Sequence, residues 1–251
     1  MIEGARLAGV ERILVPGWNV ASSRDAIRLA GRHPWLDVSV GVHPHDAAAV
    51  DATAWEEVVA LAAHPRVVAI GETGLDFDRL FSPVEAQVAN LRRNLALAVA
   101  TGKPAILHCR SAAGRRDAQD ALLAELAAAG VGGAASAASF DGRPAAVVHS
   151  FSGPVDHGRA VIDLGLAVSF SGLVFRRGEE ASADVARLVP PDRLLLETDS
   201  PYLAPPGAPR GRNTPEWVRV TAAWLAAQRG ATRAALDDAL VESYDAAFRR
   251  R

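Results

Sequence analysis

The sequence predicts an α/β fold, a parallel sheet with its helices outside, on the scale of a single α/β barrel. Three observations carry this. Short apolar runs rich in Val, Ile and Leu alternate with segments of helical periodicity along the whole chain, the pattern of βαβ units. The runs are continuously apolar rather than alternating, as in strands covered on both faces. The 251 residues contain no internal repeat and no linker-like stretch, and that length is usual for one such barrel. A single domain over 1–251 is expected.

Composition narrows the class. Hydrophobic residues make up 49% and charged residues 22%, as in ordinary globular proteins. The net charge of −2 argues against a broad non-specific nucleic-acid surface and leaves room for a local basic groove. The single cysteine, Cys109, cannot form an internal disulfide, which fits a reducing compartment, so a cytoplasmic location is expected. No apolar run approaches ~18 residues, so no transmembrane helix is expected. Nothing after Met1 has the layout of a signal peptide.

In chain order, Met1 to Gly9 is helix-like, Arg12 to Pro16 is the first strand, and Ser22 to Arg32 is a helix. Asp37 to Val42 is the second strand and runs into His43-Pro44-His45-Asp46. Thr53 to Ala63 is a helix, with Thr53 and Glu56 spaced as a capping box. Val67, Val68 and Ile70 make the third strand, and Gly71 and Gly74 loosen the backbone around Glu72, placing it at or just past the strand end. Ser82 caps the next helix, with Pro83 first and Glu85 three after the cap. Its stripe is Val84, Val88, Leu91, Leu95 and Ala98, and Gly102 ends it. Pro104 to Leu107 is a strand running into His108-Cys109-Arg110, followed by a helix over Arg115 to Ala129.

Gly130 to Arg143 is Gly/Ala/Ser-rich and reads as a flexible surface loop. Ala145 to Val148 is a strand running into His149, and a helix follows to Leu164. A strand over Leu166 to Phe170, a helix over Ala183 to Leu188 and a strand over Arg193 to Leu196 come next, the last running into Glu197-Thr198-Asp199. The loop from Ala204 to Asn213 leads to a helix capped by Thr214, and a final helix covers Thr232 to Arg250. The count is seven strands, whereas a closed (β/α) barrel needs eight. Either a strand is missing at the N-terminus or the sheet is open.

The chemistry-bearing residues fall at strand ends. Glu72, His108, His149 and Asp199 each follow a different strand, and parallel strands bring all such ends to one face. Two carboxylates and two imidazoles form a ligand set for Zn²⁺, Mn²⁺ or another divalent ion, or for a pair of ions. Glu197 and Asp199, and likewise His108 and Arg110, are two apart and share a side in extended backbone.

Six stretches occurring in order carry a resemblance: Gly41-Val42-His43-Pro44-His45, Gly71-Glu72-Thr73-Gly74-Leu75-Asp76, Leu107-His108-Cys109-Arg110, His149-Ser150-Phe151-Ser152-Gly153, Leu196-Glu197-Thr198-Asp199-Ser200-Pro201-Tyr202-Leu203 and Gly211-Arg212-Asn213-Thr214-Pro215. Together they resemble the signatures of the TatD family of metal-dependent deoxyribonucleases. The resemblance implies a TIM-type (β/α)8 barrel of the amidohydrolase kind and divalent-metal-dependent hydrolysis of phosphodiester bonds in DNA. It also implies Glu72, His108, His149 and Asp199 as metal ligands. The metal would be Mg, Mn or Zn, two ions per complete site, with Glu72 bridging and a metal-activated water attacking. Glu197 is expected to orient or deprotonate that water, which places Glu72, Glu197 and Asp199 in the catalytic group. His43, His45 and Arg110 are expected to contact substrate, and Arg210 and Arg212 lie in a loop on the same face. No membrane partner is expected, and a monomer is the working expectation.

The chain departs from the family at its start. Family members open with a strand carrying a His-x-His pair, and nothing here matches it, which accounts for the missing strand in the count. Either the true start lies upstream of Met1, or the chain holds a partial metal site. The alternatives to a nuclease are accordingly a barrel hydrolase of a small amide, ester or lactone, and an inactive truncated relative.

Overall fold

In the computed structural model, which describes residues 1–209 and 211–248, seven strands pair in parallel in their order along the chain. They are β1 (Ile13–Pro16), β2 (Leu36–Val40), β3 (Val67–Asp76), β4 (Ala105–Arg110), β5 (Ala146–Val148), β6 (Ala167–Phe170) and β7 (Leu194–Leu196). Helices fill the connections: α1 (Ile2–Leu7), α2 (Val20–Arg32), α3 (Ala52–Ala62), α4 (Val84–Thr101), α5 (Asp117–Ala128), α6 (Gly133–Ala137), α7 (Val155–Asp163), α8 (Ala181–Leu188), α9 (Val218–Arg229) and α10 (Arg233–Phe248). The result is a curled, unclosed barrel of TIM type, in which β1 and β7 each pair on one side only among the described residues.

Successive strand residues point to opposite faces, and the core divides accordingly. Ala105 and Leu107 of β4 face the large layer between sheet and helices, with Leu36, Val38, Leu91, Leu95 and Val168. Ile106 faces the concave interior with Val68, Val147, Ala167 and Leu195. The end of α10 plugs this interior with Ala247 and Phe248, packed beside Leu14 and Tyr244. It is tied to the far side of the sheet by polar contacts. Tyr244 donates to Asp37 Oδ2 at 3.0 Å, and the Arg12 guanidinium, 2.7 Å from Asp37, reaches Asp245 at 3.4 Å. One helix thus bridges the β7 side of the sheet to the start of β1 and β2.

β3 is the longest strand and carries a bulge. Ile70 pairs with Ala105 and Thr73 with Leu107, so one extra residue is accommodated across Gly71 and Glu72. Glu72 therefore lies within the strand rather than past its end. Its backbone N–H is turned out of the ladder and donates to the Gly17 carbonyl at 2.7 Å. Glycine is required here. Gly71 has φ +137°, and a Cβ would lie 2.7 Å from the Ile106 carbonyl oxygen. A Cβ on Gly74, at φ +139°, would lie 1.9 Å from the His108 carbonyl oxygen. β3 and β4 thus approach closely at Gly71, which precedes Glu72, and at Gly74, opposite His108.

Several local expectations are corrected. The cap of α3 is Asp51, whose side chain accepts from Ala54 N–H at 2.8 Å, so the Thr53–Glu56 box does not form. Ser82 does not cap α4. Its hydroxyl donates to the His45 carbonyl at 2.8 Å and accepts from Ala48 N–H at 3.1 Å, pinning the segment after β2. Thr214 makes no side-chain cap, and Pro215–Trp217 forms a 3-10 turn before α9. The Gly130–Arg143 stretch contains α6 and buries Val131 and Phe140 in the core, so it is anchored at two points.

Candidate active site

The open ends of the strands meet around one carboxylate oxygen. Glu72 Oε1 lies 3.1 Å from His43 Nε2, 3.2 Å from His108 Nδ1 and 2.8 Å from His149 Nε2. These histidines come from the turn after β2, from β4 and from the end of β5, brought together by the parallel sheet. The backbone is tight here: Ser150 and Asp199 are non-glycine residues with φ of 47° and 54°, left-handed conformations that the surrounding structure must hold.

Carboxylates further out fix the imidazoles. His149 Nδ1 meets Glu197 Oε1 at 3.1 Å, and the other Glu197 oxygen accepts from the Ser169 hydroxyl. His108 Nε2 faces Asp76 Oδ2 at 3.3 Å, an ion-pair contact without hydrogen-bond alignment. The same oxygen takes His45 Nε2 at 2.8 Å. Asp76 is itself anchored: its Oδ1 accepts the N–H groups of Asp78 and Arg79 at 3.1 and 2.8 Å. Gln87 of α4 grips its backbone by accepting its N–H at 2.7 Å and donating to its carbonyl at 3.0 Å. With their outer nitrogens directed at carboxylates, His108 and His149 turn their inner nitrogens to Glu72. His43 differs, because its Nδ1 accepts the His45 N–H at 3.1 Å. A neutral His43 therefore carries its proton on Nε2 and is a donor toward Glu72.

The electrostatics follow from this wiring. Burial would raise the Glu72 pKa, but the His149 charge and the hydrogen bonds from His108, His149 and His43 outweigh it and hold it well below the usual carboxylate range. Burial would lower His149, but Glu72 and Glu197 hold it well above an ordinary imidazole. Burial opposes protonation of His108 too, and Asp76 and Glu72 raise it. At His43, burial wins over Glu72 and the pKa is lowered. Asp76 is depressed against its burial by His108, the Arg79 N–H and His45. Asp199 goes the other way: burial, only partly opposed by His149, pushes it up to about 6.

The sequence-predicted residues are thus placed as follows. Glu72, His43, His108, His149 and Glu197 form one bonded cluster, and His45 joins it through Asp76. Asp199 is close enough to feel His149, Glu197, Glu72 and His108, while its carboxylate makes no hydrogen bond to another side chain among the described residues. The Arg110 guanidinium lies at the rim, paired with Asp78 Oδ2 at 2.8 Å. Arg212 is exposed, and Arg210 lies outside the described residues. Asp76 was given no role from sequence, although its even spacing from Glu72 along one strand is a signal for a shared face. Ser169, Gln87 and Asn213 carried no such signal. Asn213 donates to the Thr198 carbonyl at 2.6 Å and to that of Tyr202, closing the loop that bears Asp199.

The donor set suits a divalent metal ion. Ligand atoms of His43, Glu72 and His108 lie within 4.8 Å of one another. Imidazole nitrogens beside a carboxylate oxygen form a recurring cradle for such ions, and here His108 and His149 are each backed by a second carboxylate. Among the described residues no helix is long and apolar enough to cross a membrane.

Comparison with known proteins agrees with this reading of the fold. The family model for TatD related DNase matches residues 1–249. A 3'-5' ssDNA/RNA exonuclease TatD of Klebsiella pneumoniae (strain 342) is 37% identical over 236 residues, covering 92% of this chain and 83% of that protein. A protein of the same name from Rahnella sp. (strain Y9602) is 39% identical over 212 residues, covering 82% and 73%. The crystal structure of YJJV, a TatD homolog from Escherichia coli K12, superposes with a TM-score of 0.83 at 28% identity, covering 98% of this chain and 89% of that one. The chain belongs to the TatD family of nucleases and has the TIM-type hydrolase barrel fold of its TatD neighbours.

Proposed function

We propose that the chain is a divalent-metal-dependent nuclease that removes nucleotides from the 3′ end of single-stranded DNA or RNA. The observation that carries this reading is the convergence of His43, His108 and His149, from three strand ends, on Glu72 Oε1. Metal would be held by Glu72, His108, His149 and Asp199, with Mg, Mn or Zn as candidate ions and two ions as the family stoichiometry. When bound, such ions supply an activated water and a Lewis-acid clamp on a phosphodiester.

The remaining work falls to side chains. Asp199, whose carboxylate makes no side-chain hydrogen bond among the described residues, is suited to take the proton of the attacking water. Glu197 has both oxygens engaged, by His149 and Ser169. That favours it as a positioning residue that fixes the His149 tautomer, rather than as the base. His43 directs its Nε2–H at Glu72 Oε1, and would be free to donate to a phosphate or leaving oxygen where a metal ion occupied that Glu72 oxygen. Arg110 and Arg79 flank Asp78 at the rim, where guanidinium groups can bind phosphate.

The test is a 5′-labelled single-stranded oligonucleotide incubated with the protein and each divalent ion in turn, beside a panel of small esters and lactones. Stepwise shortening from the 3′ end that stops with EDTA is expected. Turnover of an ester or lactone with the oligonucleotide left intact would refute the nuclease reading.

A further inference from the structure

Among the described residues the exposed aromatic side chains are Trp18, Phe81 and Tyr202, which are 51%, 67% and 71% exposed. Single exposed apolar residues are ordinary, but these have a common location. Each follows the C-terminal end of a strand, β1, β3 and β7 respectively, and each touches a residue of the site. The Trp18 carbonyl accepts the His43 N–H at 2.9 Å, and the Tyr202 N–H donates to the Asp199 carbonyl at 2.7 Å. The Phe81 ring stands edge-on to the His45 ring, with centroids 4.7 Å apart and planes at 87°.

Phe81 is the best placed. His45 binds Asp76, which faces His108, so the ring is two side chains from the Glu72 cluster. Arg79 and Arg110 converge on Asp78 in the same turn, with side chains 54% and 44% exposed. An exposed ring three residues after Asp78, on which two guanidinium groups converge, offers a π-face for a base, and the guanidinium groups offer positive charge for its phosphates. An unpaired strand can splay its bases out to offer such a face, whereas bases inside a duplex are already stacked on both sides.

Resting on the nuclease reading, we infer that Phe81 is a base-stacking platform that holds a nucleobase next to the phosphodiester presented to the Glu72 cluster, and so selects single-stranded substrate. Tyr202 is placed to take a further base on the Asp199 side.

The experiment uses fluorescence anisotropy of a short labelled oligothymidylate in EDTA, so that binding is read without cleavage. The proteins are the wild type, Phe81→Ala and Phe81→Trp, each checked for folding by circular dichroism. The probes are the normal strand and one whose 3′-terminal residues are abasic. Phe81→Ala should weaken binding of the normal strand about ten-fold, within the range for one base stack, and Phe81→Trp should restore it. Abasic residues should cost the wild type a similar factor and cost Phe81→Ala little. If Phe81→Ala binds as tightly as wild type, or still discriminates against the abasic strand, the stacking inference is overturned. Metal-dependent cleavage by the same preparation would then leave the nuclease reading standing. If the wild type neither binds nor cleaves the strand, both fall.

Discussion

Replacing His157 with leucine is predicted to stabilise the protein and to blunt its response to acid. His157 is fully buried on α7, and neither ring nitrogen has a hydrogen-bond partner among the described residues. Its ring stacks on Phe151 with centroids 5.9 Å apart. Burial pushes its pKa down to about 4, aided by the charge of Arg116 and opposed by Asp156 and Asp120. In the unfolded chain the imidazole titrates near 6.5, so between those values the unfolded state binds the proton that the folded state refuses. Stability from this group is therefore complete above about pH 6.5 and lost as pH falls toward 4. At pH 5, about 1.5 units below the unfolded value, the loss is about 2 kcal/mol at ~1.4 kcal/mol per unit. For a chain of this size that is a fall of about 4 to 8 °C in Tm.

Leucine has no proton to gain and removes two unpartnered polar atoms, whose burial costs on the order of 1 kcal/mol or more. Urea unfolding of wild type and His157→Leu at pH 8 and pH 5 measures both effects. The variant should be the more stable at pH 8, and its advantage should widen by about 2 kcal/mol at pH 5. Taking the difference between proteins removes the contributions of Glu72 and Asp76, whose depressed carboxyls lose their stabilising effect at more acid pH. An advantage of the same size at both pH values would refute the reasoning.

Other changes probe the site. Gly74→Ala should destabilise the protein by more than ~1 kcal/mol and disrupt the metal site, because its Cβ would strike the His108 carbonyl; a fully stable, metal-binding variant would contradict the close approach of β3 and β4. Glu197→Gln should lower turnover by about 10- to 100-fold while keeping metal, and steady-state assays paired with metal analysis separate the two; full activity would remove its positioning role. Metal affinity measured by calorimetry should rise with pH through about 6 as Asp199 sheds its proton, and continue rising as the elevated imidazoles His108 and His149 lose theirs. A flat profile would contradict the assignment of these ligands.

The strand ends were legible because parallel topology and apolar runs are properties of the sequence itself: of Glu72, His108, His149 and Asp199, the first three are joined by hydrogen bonds, while Asp199 lies near them without a side-chain hydrogen bond among the described residues. The bulge at Glu72 was not legible, since it depends on Gly17 accepting the Glu72 N–H across the end of β2. Nor could the Gly41–His45 segment reveal that His43 meets Glu72 while His45 meets Asp76; the 3-10 turn at Pro44–Ala49, pinned by Ser82, decides that. Asp51 and Thr53 are both good caps two residues apart, and the geometry of the entering chain selects Asp51. The anchoring of Gly130–Arg143 through Phe140 was hidden by the small polar residues around that ring.

On the proposed function, Glu72 is the hub of a metal-binding hydrolytic centre. Calorimetric titration of metal-free wild type and Glu72→Ala with Mn²⁺ and Zn²⁺, with circular dichroism to confirm that the variant folds, tests it most directly. At least one ion should bind per wild-type chain, and that binding should be lost in a folded Glu72→Ala. A folded variant that binds metal as the wild type does, or a wild type that binds none, would contradict it.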